Sequence, residues 1–396
     1  MNLKLLSIVF LFGFLQTMPC TVYKITKNGK TFVGNNEDWW DPNTRLWFDQ
    51  GKSKEYGCIF VGMENLFPQG GMNEKGLVFD AFAVDRKPIK KKTGKLAFYP
   101  DLFRDVMKKC QNVHEVYALL DKFDMSDLNG GMLLYVEKSG KYLVVEVDTM
   151  MIGNDEHYLL SNFCPSRTTN THDLKIPYYQ KGRRLMEKTI DTSLNYLTSL
   201  SDTLHQDWGK SLGGTLYTTI YDTDAGTVNL YFYHDYSKTV RFNLKDELRK
   251  KDRILVIPEL FPENDEGQDH YAKYNTAKEI ILSLAGSSAV ADSLSLDNFI
   301  KTEGLSSLIY FFELDLNDVG YALLKKGKTD AAIHVFKLNV NYFPKSWNCY
   351  DSLADGYMKA ENYSLALLNY KKSVEMNSEN KHGHKQIHKT EKRGKR

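Results

Sequence analysis

The 396-residue chain is long enough for two cores, and 42% hydrophobic with 26% charged content is ordinary for a soluble globular protein. A formal net charge of +2 gives no general attraction to nucleic acid or to an acidic partner. The five cysteines (Cys20, Cys58, Cys110, Cys164 and Cys349) form no CxxC pair and no cysteine–histidine cluster, so no metal site is expected. An odd count implies at least one free thiol, and spacing assigns no pairing to the rest.

Lys4, an apolar run from Leu5 to Leu15 and the polar exit Gln16-Thr17-Met18-Pro19 describe a secretory leader over residues 1–19. The run is too short to span a bilayer, which takes roughly 20 apolar residues. The expectation is a protein exported to the periplasm or the exterior. A lipid anchor on Cys20 is the lesser alternative and the sole route to a membrane. Thr17-Met18-Pro19 lacks the Leu and the small residue that such sites usually carry.

Residues 20–245 read as strand hairpins with helices between them. Thr21–Ile25 and Thr31–Val33 flank Asn28-Gly29, a strong hairpin signal. Gly131–Val136 and Tyr142–Val147 flank Ser139-Gly140, and His157–Leu160 is a short strand. Leu216–Tyr221 and Thr227–Tyr233 flank a Gly-containing turn. Helical spacing marks Asp101–Lys109, Val113–Phe123, Tyr178–Ile190 and Leu194–Leu200. This order suggests an α+β class, antiparallel sheets covered by helices.

Residues 246–269 read as a linker, with Ile254–Pro262 irregular and Glu263–Gln268 polar. Residues 270–380 read as helix with a period of 34: Gly320 falls on Ala354, Leu323 on Tyr357, Ala332 on Ala366 and Phe336 on Tyr370. Small residues at two places and aromatics at another resemble tetratricopeptide repeats, with a degenerate third unit in Leu296–Leu314 and a possible protein partner. Residues 381–396 carry seven Lys or Arg against one Glu and read as a disordered basic tail.

The chemistry centres on Cys20. Freed as a first residue, it offers a thiol ionising near 8.5 and an α-amine with a reference pKa of about 7.7–8.0. Nucleophile and base then come from one residue. Downstream follow Gly34-Asn35-Asn36-Glu37-Asp38-Trp39, Gly71-Met72-Asn73-Glu74-Lys75-Gly76-Leu77, Leu160-Ser161-Asn162, Gly182-Arg183-Arg184-Leu185 and Gly214-Thr215-Leu216-Tyr217.

In this order these motifs resemble the linear amide C–N hydrolases of the N-terminal nucleophile superfamily. That group includes choloylglycine hydrolases, penicillin V acylases and relatives of the acyl-CoA:6-aminopenicillanate acyltransferase. The resemblance covers roughly Cys20 to Leu244. It implies a four-layer αββα sandwich, followed here by the all-α repeat module, and an acylase that needs no cofactor.

Carried over residue by residue, it implies that Cys20 is nucleophile and base. Asp38 would hold the α-amine, and Asn162 would stabilise the oxyanion. Arg184, with Arg183 as the alternative, would fill the family's arginine position. Asn35 and Trp39 would face the substrate, a small N-acyl amide. Asn35 stands where bile-salt enzymes carry an arginine, which argues against bile-salt specificity. Plainer readings exist: a turn carboxylate for Asp38, a cap for Asn162, surface ion pairing for the arginines, core packing for Trp39 and Trp40. Cys164 is expected to be inert. Three functions compete: a hydrolase of linear amides acting through a thioester, an acyltransferase passing the acyl group to an amine, and a non-catalytic exported scaffold acting through its repeats.

Overall fold

The computed structural model describes residues 20–87, 89, 91–99, 101–209, 213–283 and 312–393. They form two compact units that divide in the chain between Gln268 and Asp269. The leader, and the part of the proposed third repeat at 296–311, lie outside the described residues.

The first unit begins with strands β1 (Thr21–Lys27), β2 (Lys30–Trp39), β3 (Thr44–Asp49), β4 (Cys58–Met63), β5 (Pro68–Asn73), β6 (Val78–Ala83) and β7 (Leu96–Ala97). Helices α1 (Leu102–Lys109) and α2 (Val113–Leu120) follow, then β8 (Phe123–Asp124), β9 (Gly131–Val136), β10 (Tyr142–Val145), β11 (Met150–Gly153) and β12 (His157–Leu160). After α3 (Pro177–Lys188) and α4 (Leu194–Leu204) come β13 (Gly214–Asp222), β14 (Thr227–Phe232), β15 (Asp235–Asn243), α5 (Leu244–Glu247) and β16 (Arg253–Val256).

Two antiparallel sheets result, in the orders β12-β1-β2-β13-β14-β15 and β11-β10-β9-β6-β5-β4-β3-β16. Alternation along each strand divides its side chains between two cores. In β1, Val22 faces the space between the sheets, with Val33, Ile59, Met72 and Leu230. Its neighbours Tyr23 and Ile25 face α3 and α4, against Met186, Leu197 and Leu200. On the far side, Phe60, Phe79 and Tyr135 of the second sheet pack on Leu102, Val106, Val113 and Val116 of α1 and α2. The layers therefore run α, β, β, α. Asn73 joins two of them: its amide donates to the carbonyls of Met107 and Cys110 at 2.8 Å, while its side-chain oxygen accepts from the Lys75 and Leu77 backbones. It is a structural turn residue.

Gly34 is dictated by packing. A Cβ there would lie 2.1 Å from the Tyr23 ring, which is pinned by hydrogen bonds to the Leu197 carbonyl (2.8 Å) and the Ser201 hydroxyl (3.0 Å). That close fit keeps β1 and β2 flush where the motif begins.

The stretch read as a linker is largely built into the first unit. Residues Arg253–Val256 form β16, which pairs with β3 from Arg253↔Phe48 to Val256↔Arg45. As an edge strand only four residues long it has too short a period to be legible. Among the described residues, no helix is long and apolar enough to cross a membrane.

Helix α6 (Asp265–Ser283) leads on from the first unit. The second unit then carries α7 (Glu313–Lys325), α8 (Thr329–Tyr342), α9 (Trp347–Lys359), α10 (Tyr363–Met376) and α11 (Lys381–Arg393). The residues matched by the 34-residue period occupy equivalent places: Gly320 and Ala354 on α7 and α9, Phe336 and Tyr370 on α8 and α10. The tail is a correction to the sequence reading. Residues 381–393 are helical rather than disordered, with Gly383 and Thr390 buried and His382 Nδ1 at 2.7 Å from Asp351. A stripe of small residues, not apolar ones, seats this helix, so hydrophobic periodicity missed it.

Candidate active site

Cys20 directly precedes β1, an interior strand flanked by β12 and β2. Its main chain is fixed by Ser161, whose hydroxyl donates to the Cys20 carbonyl at 3.0 Å and lies 3.1 Å from the Tyr178 hydroxyl. The side chain is 6% exposed and belongs, like Val22, to the space between the sheets. Asn35 and Glu37 lie on the same face of β2, and β13 sets Thr219 opposite Asn35 and Tyr217 opposite Glu37.

Asp38 is fully buried. One carboxylate oxygen accepts from the Thr215 hydroxyl at 2.5 Å; that hydroxyl accepts in turn from the Gln206 backbone N–H at 2.8 Å. The second oxygen has no hydrogen-bond partner among the described residues. Asn162 follows β12 and reaches across to β6, its amide donating to the Ala83 carbonyl at 2.6 Å. That contact spends one of its two N–H groups.

The electrostatics are acidic. Burial pushes the Cys20 thiol well up, the carboxyls of Glu37, Asp38 and Asp80 push it further, and a hydrogen bond from the Asp38 backbone opposes them. Burial likewise raises Asp38, against the Thr215 bond, and raises Asp80, with Glu37 adding to both shifts. Glu37 is pushed up to about 8 by burial, opposed by the Cys20 thiol and Asn35. In a low-dielectric interior these carboxyls cannot all be ionised without a nearby cation.

The structure thus brings together Cys20, Asp38 and Asn162. Trp39 ends β2 half-buried, stacked on Trp40 with ring centroids 3.8 Å apart. Asn35 is fully buried between Val22 and Thr219, beside Glu37. The arginines stand apart. Arg183 pairs with Glu187 and contacts Gln180 at 2.9 Å, and Arg184 is exposed on α3 with no hydrogen bond or ion pair among the described residues. Helical phase explains this, because α3 buries Tyr179, Gly182 and Met186 and turns Arg184 away. All five cysteines are unpaired, and the Cys164 thiol is raised, mainly by burial.

Sequence reasoning passed over Glu37, Asp80 and Thr215 as individual residues. Asp80 had a usable signal, being a carboxylate at an inward position of the alternating strand Val78-Phe79-Asp80-Ala81-Phe82.

Two facing antiparallel sheets between helical layers are the layer order of the N-terminal-nucleophile class of acylases and amide hydrolases. The family described as acyl-coenzyme A:6-aminopenicillanic acid acyl-transferase matches residues 25–235, just over half of the 396. The chain belongs to this family, whose chemistry is amide hydrolysis or acyl transfer. The match starts after Cys20, so it covers Asp38, Asn162 and Arg184 but not the sulfur.

Among solved structures, the penicillin V acylase from Agrobacterium tumefaciens is similar at 14% identity, covering 54% of this chain and 83% of its own, with a TM-score of 0.44. Two variants of the conjugated bile acid hydrolase from Clostridium perfringens align at 16% and 14% identity. Each covers 60% of this chain and 96% of its own, with TM-scores of 0.45 and 0.46. No curated protein sequence matches.

Proposed function

We propose that the exported chain is cut before Cys20, and that this residue then attacks linear, non-peptide amides of small N-acyl substrates. The observation that carries the reading is the setting of Cys20 among Asp38 and Asn162 at the start of an interior strand. The Cys20 sulfur adds to the amide carbonyl while its α-amine takes the thiol proton. The remaining Asn162 N–H stabilises the oxyanion. The amine leaves with the proton relayed from the α-amine, giving a thioester on Cys20. Water adds to the thioester, releasing the acid and restoring the thiol.

Before the cut the thiol sits with three carboxyls and is held protonated. The cut supplies an α-amine that is the missing cation once it has taken the thiol proton, and the Asp38 oxygen that has no hydrogen-bond partner among the described residues would accept from it. This supports Asp38 as the group that positions the amine. Trp39 and Trp40 offer an apolar platform for the acyl group.

The test is the mass of the first peptide of the exported protein, with acid-quenched mixtures of N-acyl amino acids and N-acyl anilides. The reading expects Cys20 as first residue, an acyl adduct on its peptide, and loss of adduct and turnover in Cys20→Ala. Residues retained ahead of Cys20, a lipid on its sulfur, or turnover surviving in Cys20→Ala would sink it. Acyl transfer to an amine is the second reading, favoured by the family's own description. A burst whose steady rate rises with added amine, yielding a new amide, identifies it. For the second unit the reading is a tetratricopeptide-like module that docks a protein partner.

A further inference from the structure

A cluster outside the Cys20 site joins three parts of the first unit. Asp207 follows α4, His234 lies between β14 and β15, and Glu266 lies in the first turn of α6. Each brings one ligand atom to within 4.8 Å of the other two. We propose that Asp207, His234 and Glu266 form a binding site for a divalent transition-metal ion of the zinc type.

The ligand chemistry selects the metal. One imidazole nitrogen and two carboxylate oxygens suit an ion that takes mixed N and O donors at about 2.0–2.2 Å. Calcium and magnesium favour oxygen alone. Tetrahedral donors at that range stand about 3.3 Å apart. Asp207 Oδ1 accepts from the Gly209 backbone N–H at 2.8 Å, which leaves its other oxygen for an ion, and the exposure of both carboxylates leaves a fourth position for water.

His234 is held for such a role. With Tyr233 it makes a two-residue turn in which both have positive φ, 49° and 47°, a conformation that usually goes to Asn and Gly. Its Nε2 is buried without a hydrogen-bond partner among the described residues, and its ring stacks on His205 with centroids 4.8 Å apart. His205 is itself anchored through Nδ1 to Asp202. His234 also lines an open pocket of about 340 Å³ with Asp202, Asp235 and Tyr236. The other trio of this kind, Asp351, Asp355 and His382, is a weaker candidate because Tyr370, Asn380 and Tyr321 already occupy its carboxylates.

An ion on Asp207 would pin the neighbouring Gln206. The Gln206 backbone pairs with Thr215 in both directions at 2.8 Å, and Thr215 holds Asp38. The ion would thereby steady the Asp38 carboxyl; this coupling rests on the acylase reading, whereas the metal site does not.

The test uses the full mature chain and Zn²⁺, with bound metal counted by elemental analysis after desalting and melting followed in parallel. His234→Asn keeps a residue tolerant of positive φ; Glu266→Gln is the second variant and Asp202→Asn the control. The expected result is one fewer zinc equivalent in His234→Asn and Glu266→Gln than in the parent and the control. The parent should gain about 5–10 °C in Tm at a hundredfold excess over Kd, and those two variants should lose that gain. Mg²⁺ and Ca²⁺ should give no shift. Equal zinc content in parent and both variants, or no zinc-dependent shift in the parent, overturns the site. The metal count needs no substrate, so it judges the site even if the chain turns over no amide. Turnover indifferent to zinc would overturn the coupling alone.

Discussion

Thr215 and Asp38 stand opposite each other in the β13–β2 register, joined by a hydroxyl-to-carboxylate hydrogen bond of 2.5 Å. Thr215→Val keeps the shape and removes the donor. Hydrogen bonds to charged groups are worth about 1.5–3 kcal/mol, or roughly 10–100-fold in rate if the bond matters in the transition state. The expected outcome is a kcat fall in that range at nearly constant KM, with an unchanged far-UV spectrum. An unaltered kcat would remove Asp38 from the mechanism as a positioned group.

Asn162 ties the end of β12 to β6 through the Ala83 carbonyl. If its second N–H serves the oxyanion, Asn162→Ala should lower kcat by about 10²–10³ with little change in KM. Arg184 offers the contrast. Exposed on α3 and without a bond among the described residues, it should tolerate Arg184→Ala with turnover within about twofold, as surface changes usually lie within about 0.5 kcal/mol. Initial rates on one substrate decide both, and a severe loss in Arg184→Ala would restore the arginine to the site.

Glu37 makes stability depend on pH. Its folded pKa is about 8, above the ordinary 4.5, so the folded chain binds the proton that the unfolded chain gives up. This contribution is fully present below about 4.5 and is lost as pH rises through about 8. Glu37→Gln should flatten the fall by an amount on the order of 3 kcal/mol across that window. Denaturant titrations of the uncut chain at pH 5, 6, 7 and 8 would show it. Parallel slopes for the two proteins would mean that another group is responsible.

The parts of the fold legible in the sequence were those with a strong local signal. Asn28-Gly29 marked the β1–β2 turn, and apolar spacing marked α1 to α4. The strands of the second sheet, β3 to β6, were less visible: Trp47, Phe60 and Phe79 face one core while Leu46, Ile59 and Val78 face the other, so both faces are apolar and alternation is erased. At the site, the sequence motifs single out Cys20, Asp38 and Asn162 as candidates. Arg184 was harder to place, since helical phase decides which way a side chain on α3 points. Glu37 and Asp80 meet only because two strands from different sheets face each other, a relation no local window contains.

Gly320 separates helix propensity from packing in the second unit. In an exposed helix, replacing Gly by Ala stabilises by about 0.8–1.0 kcal/mol. Here the new Cβ would lie 2.2 Å from the Phe336 ring, and overpacking costs about 1–3 kcal/mol. Packing should therefore win, so that Gly320→Ala destabilises α7 and α8 by up to about 2 kcal/mol. Combining it with Phe336→Leu should recover part of the loss, because the smaller side chain makes room for the methyl group. Hydrogen exchange of the α7 and α8 amides reads this directly, and the amide-cleaving rate should stay unchanged because its residues all lie in the first unit. Slower exchange in Gly320→Ala would mean that the helices part enough to admit the methyl, and that propensity rather than the Phe336 contact governs this position.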